Sequence, residues 1–201
     1  MADPRQERTR AALREALVDL LTEREFDAIS VSALCRRAGI ARPTFYLHCK
    51  EKADILRDHV EHFLNAHEAA FAEATRDRRG TDARDALAPV FVEMLTTIER
   101  EARLFRLVFG GRAGLELHER LLEHQRRINR LYFATQDHRD LADAELDLIA
   151  SFCAGGVMHL VGRWLEPDTH LPLARVAQLV GQLLDGALRR AVTLPTPKAA
   201  P

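Results

Sequence analysis

Apolar residues recur every three or four positions along most of this chain of 201 residues. That spacing places them on one face of an α-helix, and no stretch of useful length alternates with the period of two that is typical of strands. The first run, which ends near residue 25, shows the pattern in Leu13, Leu17, Leu20 and Leu21. We therefore predict an all-α fold of about nine helices.

Glycine and proline separate the later helical segments. The pattern predicts helices at about 51–76, 82–100, 102–109, 115–133, 140–165 and 171–192. Pro89 is expected to break or kink the second of these, because proline cannot donate a backbone hydrogen bond. The glycine-rich segment 110–114 is interpreted as a mobile joint, and the proline-containing tail 194–201 as disordered. We divide the chain into a domain at 1–50, a larger domain at 51–193 and this tail.

Two very short helices joined by a glycine turn are predicted after residue 29. Ser30 can cap the first helix through its hydroxyl, and Gly39 follows that helix where a positive φ is typical. Pro43 lies in the first turn of the second helix, where its missing N–H is not needed. Phe45 and Cys49 would anchor this helix, because it is too short to be stable alone. Such a pair is typical of a helix-turn-helix, whose second helix fits the major groove of DNA.

The second helix exposes residue types that suit duplex DNA. The guanidinium of Arg42 can donate two parallel hydrogen bonds to guanine, and Thr44 suits a phosphate or a thymine methyl group. Tyrosine and lysine commonly contact phosphate, which points to Tyr46 and Lys50, and the next helix N-terminus also attracts phosphate. The full set of predicted DNA-contacting residues is Ser30, Ser32, Arg42, Pro43, Thr44, Tyr46, His48, Lys50 and Lys52.

The charge distribution supports a small DNA-binding surface. The whole chain carries a formal net charge of −1, but residues 28–52 hold five basic residues and one acid. The part from residue 53 onward holds 19 basic and 22 acidic residues. A local basic patch on a nearly neutral body fits specific binding to a short DNA site better than coating of nucleic acid.

Composition argues against several other classes of protein. The three cysteines, Cys35, Cys49 and Cys153, form no Cys-x-x-Cys pair, so neither a zinc site nor a disulfide framework is expected. Two histidines share one helix face without a known carboxylate partner, and we predict no metal and no other cofactor. No nucleophile–base set or phosphate loop is recognisable, so an enzyme is not expected. The charged N-terminus and the short apolar run 148–158 indicate a cytoplasmic protein without a membrane partner.

The segment that contains the two short helices resembles the DNA-binding signature of the TetR family of bacterial transcriptional regulators. The matching residues are Phe26-Asp27-Ala28-Ile29, Ser30-Val31, Leu34-Cys35, Ala38-Gly39-Ile40, Arg42-Pro43-Thr44-Phe45-Tyr46, His48, Lys52 and Asp54-Ile55-Leu56. Two positions depart from the family pattern: Cys49 stands where Phe or a branched apolar residue is usual, and Leu47 where an aromatic residue is frequent. The resemblance covers about the first sixty residues, and beyond them only helical character and length match.

The resemblance implies a larger C-terminal domain that forms a homodimer through its last two helices. These helices are the most apolar of the chain, yet they contain Gly155, Gly156, Gly162, Gly181 and Gly186. Glycine inside a helix costs about 1 kcal/mol relative to alanine, so these glycines indicate close helix–helix approach. The alternative is that both helices pack inside one monomer. A two-fold dimer would bind a partly palindromic DNA operator.

The resemblance also implies a pocket for a small-molecule effector among the central helices. The candidate lining residues are Phe91, Met94, Phe105, Phe109, Arg112, Phe133, Phe152, His159 and Trp164. The function expected from the family is that of a dimeric repressor, which an effector of unknown identity releases from its operator. A regulator of the same fold that responds to a protein partner or to redox state is the alternative.

Overall fold

The computed structural model describes residues 4–110, 115–136 and 141–193. These residues form nine α-helices and no strand, as the sequence predicts. The helices are α1 Pro4–Glu23, α2 Val31–Ala38, α3 Arg42–His48, α4 Lys52–Thr75, α5 Gly80–Arg100, α6 Ala102–Phe109, α7 Leu115–Ala134, α8 Asp143–Trp164 and α9 Leu173–Thr193, with a 3-10 turn at Phe26–Ala28. Most of the predicted joint and the whole predicted tail lie outside the described residues.

The first three helices form a small unit around the apolar side of α1. The predicted apolar stripe of α1 is buried, and it belongs to the same core as Leu34 of α2 and Phe45 of α3. Phe45 is the one buried residue within α3, and Cys49, just after the helix, is also buried. A helix of seven residues is too short to be stable alone, so these two anchors hold it in place.

α4 is the longest helix and connects this three-helix unit to the rest of the chain. Its 24 residues span about 36 Å at 1.5 Å per residue. Near its start, Ile55 and Val60 belong to the large core that includes α1. Near its end, Phe71 packs in a small separate cluster with Leu87 of α5 and Ile128 of α7. One continuous helix therefore contacts both the three-helix unit and the C-terminal helices.

Pro89 does not break the helix that contains it, so the first of the two expected effects, a break or a kink, is wrong. α5 continues from Gly80 to Arg100 with Pro89 in its interior. Pro89 is exposed, and so is Asp85, whose backbone carbonyl loses its helical donor. Water can reach this carbonyl, which lowers the cost of the missing hydrogen bond.

α7, α8 and α9 form the C-terminal part of the molecule. Asn129 of α7 is fully buried, and its Nδ2 donates to the backbone carbonyl of Ala150 in α8 at 3.1 Å. Phe133, Cys153 and Leu188 form a compact cluster between the three helices. This packing leaves the opposite side of α8 exposed to solvent.

Candidate functional site

A left-handed glycine sets the angle between α2 and α3. Ser30 caps α2, because its Oγ accepts a hydrogen bond from the N–H of Ala33 at 3.2 Å. Gly39 ends α2 with a φ of 67°, and the N–H of Ile40 donates to the carbonyl of Cys35 at 3.0 Å. A side chain at this φ would be strained, so the turn requires glycine. The predicted pair of helices with its cap and turn is confirmed.

Arg42, Tyr46 and Leu47 are exposed on the outer face of α3. Arg42 and Tyr46 lie one turn apart, and Arg42 Nη2 donates to the Tyr46 hydroxyl at 3.3 Å. That hydrogen bond raises the pKa of the Arg42 guanidinium, which stays charged. Tyr46 is 50% exposed and Leu47 is 83% exposed. A cation, a hydroxyl and an apolar tip thus project together into solvent, and their contact with DNA stays a prediction.

Most of the remaining predicted DNA-contacting residues are also accessible to solvent. Five of them are exposed or half-buried: Ser32, Pro43, Thr44, His48 and Lys50. Ser30 is exposed as well, and its hydroxyl hydrogen is free for a phosphate because only the oxygen is used by the α2 cap. Leu47 was treated in the sequence only as a departure from the family pattern. Its exposure beside Tyr46 makes it a further candidate, since an apolar tip can contact a thymine methyl group.

Lys52, a predicted phosphate contact, has its ammonium bound to the protein's own backbone in this structure. Its Nζ donates to three backbone carbonyls, those of Phe26 at 2.7 Å, Asp27 at 3.1 Å and Ile29 at 3.0 Å. The ammonium also lies 4.6 Å from the centroid of the Phe26 ring. An ammonium has three N–H donors, so none is left for DNA. Lys52 instead ties the first residue of α4 to the turn that leads into α2.

Ion pairs hold α4 to α1 on another side. The Arg14 guanidinium donates to Asp58 Oδ2 and to Glu7 Oε1, both at 2.7 Å, and its side chain is only 8% exposed. Arg10 binds the other carboxylate oxygen of Asp58 at 3.1 Å. Hydrogen bonds to a charged group that is shielded from water are stronger than those of exposed surface pairs. The three-helix unit must therefore move with the first turns of α4.

A cavity of about 480 Å³ lies between α4, α5, α7 and α9. Its walls are mainly apolar and include Phe71, Leu87, Phe91, Ile128 and Val180. The polar part of its lining consists of His67, Arg84, Gln125, Asn129, Tyr132, Gln178, Gln182 and Asp185. This size and this mixture of apolar walls with a few polar groups are typical of sites for small organic molecules.

The aromatic residues predicted to contact an effector are mostly not in this cavity. Phe91 does line it. Met94 and Phe109 line a separate void of about 30 Å³, which has room for no more than about two water molecules. Arg112 lies outside the described residues. Among the described residues, Phe91 is thus the one predicted effector contact that lines this cavity, and most of the other lining residues are on α5 and α9.

The other predicted pocket residues serve packing or lie on the surface. Phe105 and Phe133 are fully buried in the core, and Trp164 is buried with its Nε1 donating to the carbonyl of Leu171 at 2.9 Å. Phe152 and His159 are exposed on the outer side of α8. Large aromatic side chains fill the core because of their size, so their presence does not mark a cavity.

The outer side of α8 presents an exposed stripe. Leu148 is 71% exposed and Phe152 is 78% exposed, and Gly155 and His159 follow at the spacing of one helix face. α8 is the single helix among the described residues that is long and apolar enough to cross a membrane by length and composition. A core helix of a soluble protein meets the same criteria, and the buried side of α8 packs on α7.

The glycines of α8 and α9 bear on the alternative that both helices pack inside one monomer. A methyl group added at Gly155, Gly156, Gly181 or Gly186 would meet no atom within 4 Å. At Gly162 the added atom would lie 3.3 Å from Cβ of Phe109, so this position is a close approach. Packing inside one monomer therefore accounts for Gly162 and leaves the other four glycines without an explanation inside this chain.

The three cysteines are buried free thiols. Burial raises the pKa of Cys49 to about 11 and that of Cys153 to about 11, and it also raises the pKa of Cys35. The thiolate is the form that reacts with oxidants and disulfides, so a raised pKa suppresses this chemistry. The geometry therefore does not favour the redox-sensing alternative.

We expect the thiols of the folded protein to react with Ellman's reagent at neutral pH at least about 100-fold more slowly than in denaturant. A pKa near 11 leaves roughly 10⁻⁴ of a thiol ionised at pH 7, compared with a few per cent for an ordinary cysteine. The labelling rate of native protein, compared with that of unfolded protein, measures this ratio. Rapid labelling of Cys49 or Cys153 in the native state would restore the redox hypothesis.

Comparison with known protein families covers both parts of this fold. The family model described as "Bacterial regulatory proteins, tetR family" matches residues 13–58, which contain α2, α3 and the first turns of α4. The TetR model described as "Transcriptional regulator C-terminal region" matches residues 85–186, just over half of the 201-residue chain. This chain belongs to the TetR family. Regulators of the TetR family are generally not enzymes.

Two regulators of Bacillus subtilis (strain 168) match a short stretch of this TetR-family chain. The HTH-type transcriptional regulator YdeS is 38% identical over 55 residues, which are 27% of this chain and 28% of YdeS. The HTH-type transcriptional regulator YxbF is 37% identical over 60 residues, which are 29% of this chain and 16% of YxbF. The matched stretch thus spans less than a third of either relative.

Solved structures share the TetR fold over nearly the whole chain. A putative TetR-family regulator from Syntrophomonas wolfei has a TM-score of 0.70 at 16% identity and covers 94% of this chain and 98% of its own. The dihydroxyacetone kinase operon activator DhaS has a TM-score of 0.64 at 18% identity, with 90% and 97% covered. The repressor FadR of Thermus thermophilus, solved with lauroyl-CoA, has a TM-score of 0.63 at 18% identity, with 96% and 98% covered. At these identities the likeness establishes the fold.

Proposed function

We propose that this TetR-family chain is a cytoplasmic, sequence-specific DNA-binding repressor that acts as a homodimer and leaves its operator when a small molecule fills the cavity. The observation that carries the proposal is the outer face of α3. Arg42, Tyr46 and Leu47 project together there from a helix that Phe45 anchors on its other side. A helix that enters the major groove needs this combination of a buried anchor and an exposed polar face.

The exposed stripe of α8 supports the homodimer. Leu148 and Phe152 are large apolar side chains that lie mostly in solvent in one chain, and exposed apolar patches commonly mark interfaces. The four glycines of α8 and α9 that meet no atom of their own chain allow a second pair of helices to approach closely. A two-fold dimer would then present two copies of α3 to half-sites about 34–36 Å apart, or a multiple of that distance.

The position of the cavity supports a ligand-dependent release from DNA. His67 and Phe71 of α4 line the cavity, about 22–28 Å along the helix from Lys52. Lys52 and Asp58 tie the opposite end of α4 to the three-helix unit. A ligand that fits better when α4 is tilted would therefore change the separation of the two α3 helices. Its differential affinity for the two arrangements sets the size of the effect.

Repression is the proposed sign of regulation, and an effector is favoured over a protein partner because the cavity is present. Among the similar structures, FadR is described as a repressor and DhaS as an activator. The sign is tested by transcription in a purified system, since an operator that overlaps a promoter gives repression and one upstream of it can give activation.

Selection of bound DNA from a random library with purified full-length protein tests the proposed function. We expect enriched sequences with two inverted half-sites, because a two-fold dimer reads the same bases twice. Enrichment without inverted symmetry would contradict the dimer model. Absence of any enriched sequence would contradict sequence-specific binding.

Replacement of Arg42 by alanine should weaken binding to the selected operator by about 1–3 kcal/mol and relax the preference at one base pair of each half-site. The reason is the loss of two parallel hydrogen bonds to guanine. Fluorescence anisotropy with the operator and with single-base variants measures both effects.

Two matched variants control this experiment. Lys50→Ala removes an exposed cation beside α3 and should weaken binding to all sequences, with a salt slope shallower by about 1 per subunit. Arg76→Ala removes an exposed arginine just after α4 and should change neither affinity nor slope. Equal losses for specific and nonspecific DNA in Arg42→Ala would show that Arg42 contacts only the phosphate backbone.

A further inference from the structure

The wall of the cavity between α4, α5, α7 and α9 includes a partly exposed ion pair. Arg84 Nε lies 3.3 Å from Asp185 Oδ2, and the Tyr132 hydroxyl donates to the other oxygen of Asp185. Burial, followed by the interaction with Asp185, raises the pKa of Tyr132 to about 12, so this hydroxyl stays protonated. Arg84 and Asp185 therefore offset each other's charge at the cavity wall, although Arg84 Nε forms no hydrogen bond.

His67 of α4, which lines the cavity, pairs with a second buried histidine without adding charge. Nδ1 of His67 on α4 lies 3.2 Å from Nε2 of His124 on α7, and both residues are buried. Burial lowers the pKa of each histidine to about 4. At neutral pH one ring donates to the other, and the pair is uncharged.

Two amides of α7 supply uncharged hydrogen-bonding groups. Gln125 Nε2 donates to Asn129 Oδ1 at 2.9 Å, and Asn129 Nδ2 donates to the carbonyl of Ala150 at 3.1 Å. Gln125 is 9% exposed and Asn129 is fully buried. Within the described ranges nothing donates to Oε1 of Gln125, so one acceptor remains for a ligand at the cavity wall.

We infer that this cavity selects an uncharged, mainly apolar molecule that carries a hydroxyl or a similar hydrogen-bond donor. A carboxylate in the cavity would face Asp185, and an ammonium would face Arg84, because each wall charge is already paired. Either ligand would lose its hydration without gaining a free counter-ion, which is unfavourable. This inference rests on the proposed effector role of the cavity and names the chemical class of its ligand.

Three probes of equal chain length test this charge selection: 1-octanol, octanoate and octylamine. Each is titrated into the full-length protein at neutral pH, with binding followed by calorimetry and by the rise in Tm. We expect 1-octanol to bind at least about 10-fold more tightly than either charged probe. Tighter binding of octanoate or octylamine to the unaltered protein would overturn the inference. The same holds if none of the three probes binds.

Two substitutions of the ion pair make the test specific to this site. Asp185→Asn leaves Arg84 without its anion, and octanoate should then gain at least about 10-fold in affinity. Arg84→Gln leaves Asp185 unpaired, and octylamine should gain instead. Asp147→Asn on α8, outside the cavity, should leave the order of the three probes unchanged. If neither Asp185→Asn nor Arg84→Gln changes the order of the three affinities, the ion pair does not determine which probe binds best.

Binding to operator DNA is measured in parallel, so that this inference and the proposed function can fail separately. Octanol that binds the cavity and weakens operator binding supports both. Octanol that binds selectively but leaves operator binding unchanged supports the ligand class and contradicts the proposed effector role. If Asp185→Asn does not fold, as judged by circular dichroism, Arg84→Gln alone decides the question.

Discussion

Replacement of Phe152 by glutamate should convert a two-chain particle into single chains and abolish high-affinity operator binding. Phe152 is 78% exposed in one chain, so the substitution leaves the monomer fold intact. In a two-fold interface, however, two carboxylates would lose their hydration, at a cost of several kcal/mol for each ion. We expect the dimer Kd to rise by at least about two orders of magnitude, measured by sedimentation velocity.

Leu131→Glu provides the matched control for Phe152→Glu. Leu131 is an exposed leucine, 44% exposed, on α7 and outside the α8–α9 face. A glutamate there should change neither the mass of the particle nor its affinity for DNA. If the Phe152→Glu protein still sediments as two chains, the dimer interface does not include this face of α8.

Replacement of Lys52 by alanine should lower the free energy of unfolding by about 2–4 kcal/mol. The substitution removes three hydrogen bonds from an ammonium to carbonyls at 2.7, 3.0 and 3.1 Å and its contact with the Phe26 ring. The loss is smaller than three separate charged hydrogen bonds, because water can reach the half-buried carbonyls. Urea unfolding followed by circular dichroism gives the change, with DNA affinity measured on the folded fraction.

Lys50→Ala is the comparison that separates folding from DNA binding. Lys50 is exposed and close in sequence, so its removal should change stability by less than about 0.5 kcal/mol. The Lys52 variant should keep the salt slope of the unaltered protein, whereas the Lys50 variant should not. A Lys52→Ala protein of unchanged stability and with a shallower salt dependence of DNA binding would show that Lys52 contacts phosphate.

The helices and the outer face of α3 could be predicted from the sequence because short-range rules determine them. The apolar stripe of α1, the Ser30 cap and the positive φ of Gly39 each depend on residues a few positions apart. The exposure of Arg42 and Tyr46 follows from a short helix with one buried anchor. Local patterns of this kind survive in the final structure because tertiary packing agrees with them.

The errors concern contacts between residues that are distant in sequence. Lysine commonly contacts phosphate, which is why Lys52 was predicted to do so. Its long side chain reaches back to the turn at Phe26–Ala28, and a local sequence pattern cannot show this contact. The cavity was misplaced for a related reason. It is the space left between four helices, and its lining includes Ala174 and Ala177, while Phe105, Phe133 and Trp164 fill the core.

In α3 one side chain is buried and several are exposed, and this difference affects how related proteins can diverge. Because Phe45 alone is enclosed, substitutions at Arg42, Tyr46 or Leu47 carry almost no penalty in folding. After gene duplication, one or two codon changes could give a copy a new DNA target sequence. Each of these changes would leave the stability of the fold nearly unchanged. Under the proposed function, binding preference is therefore the most readily evolvable property of the molecule.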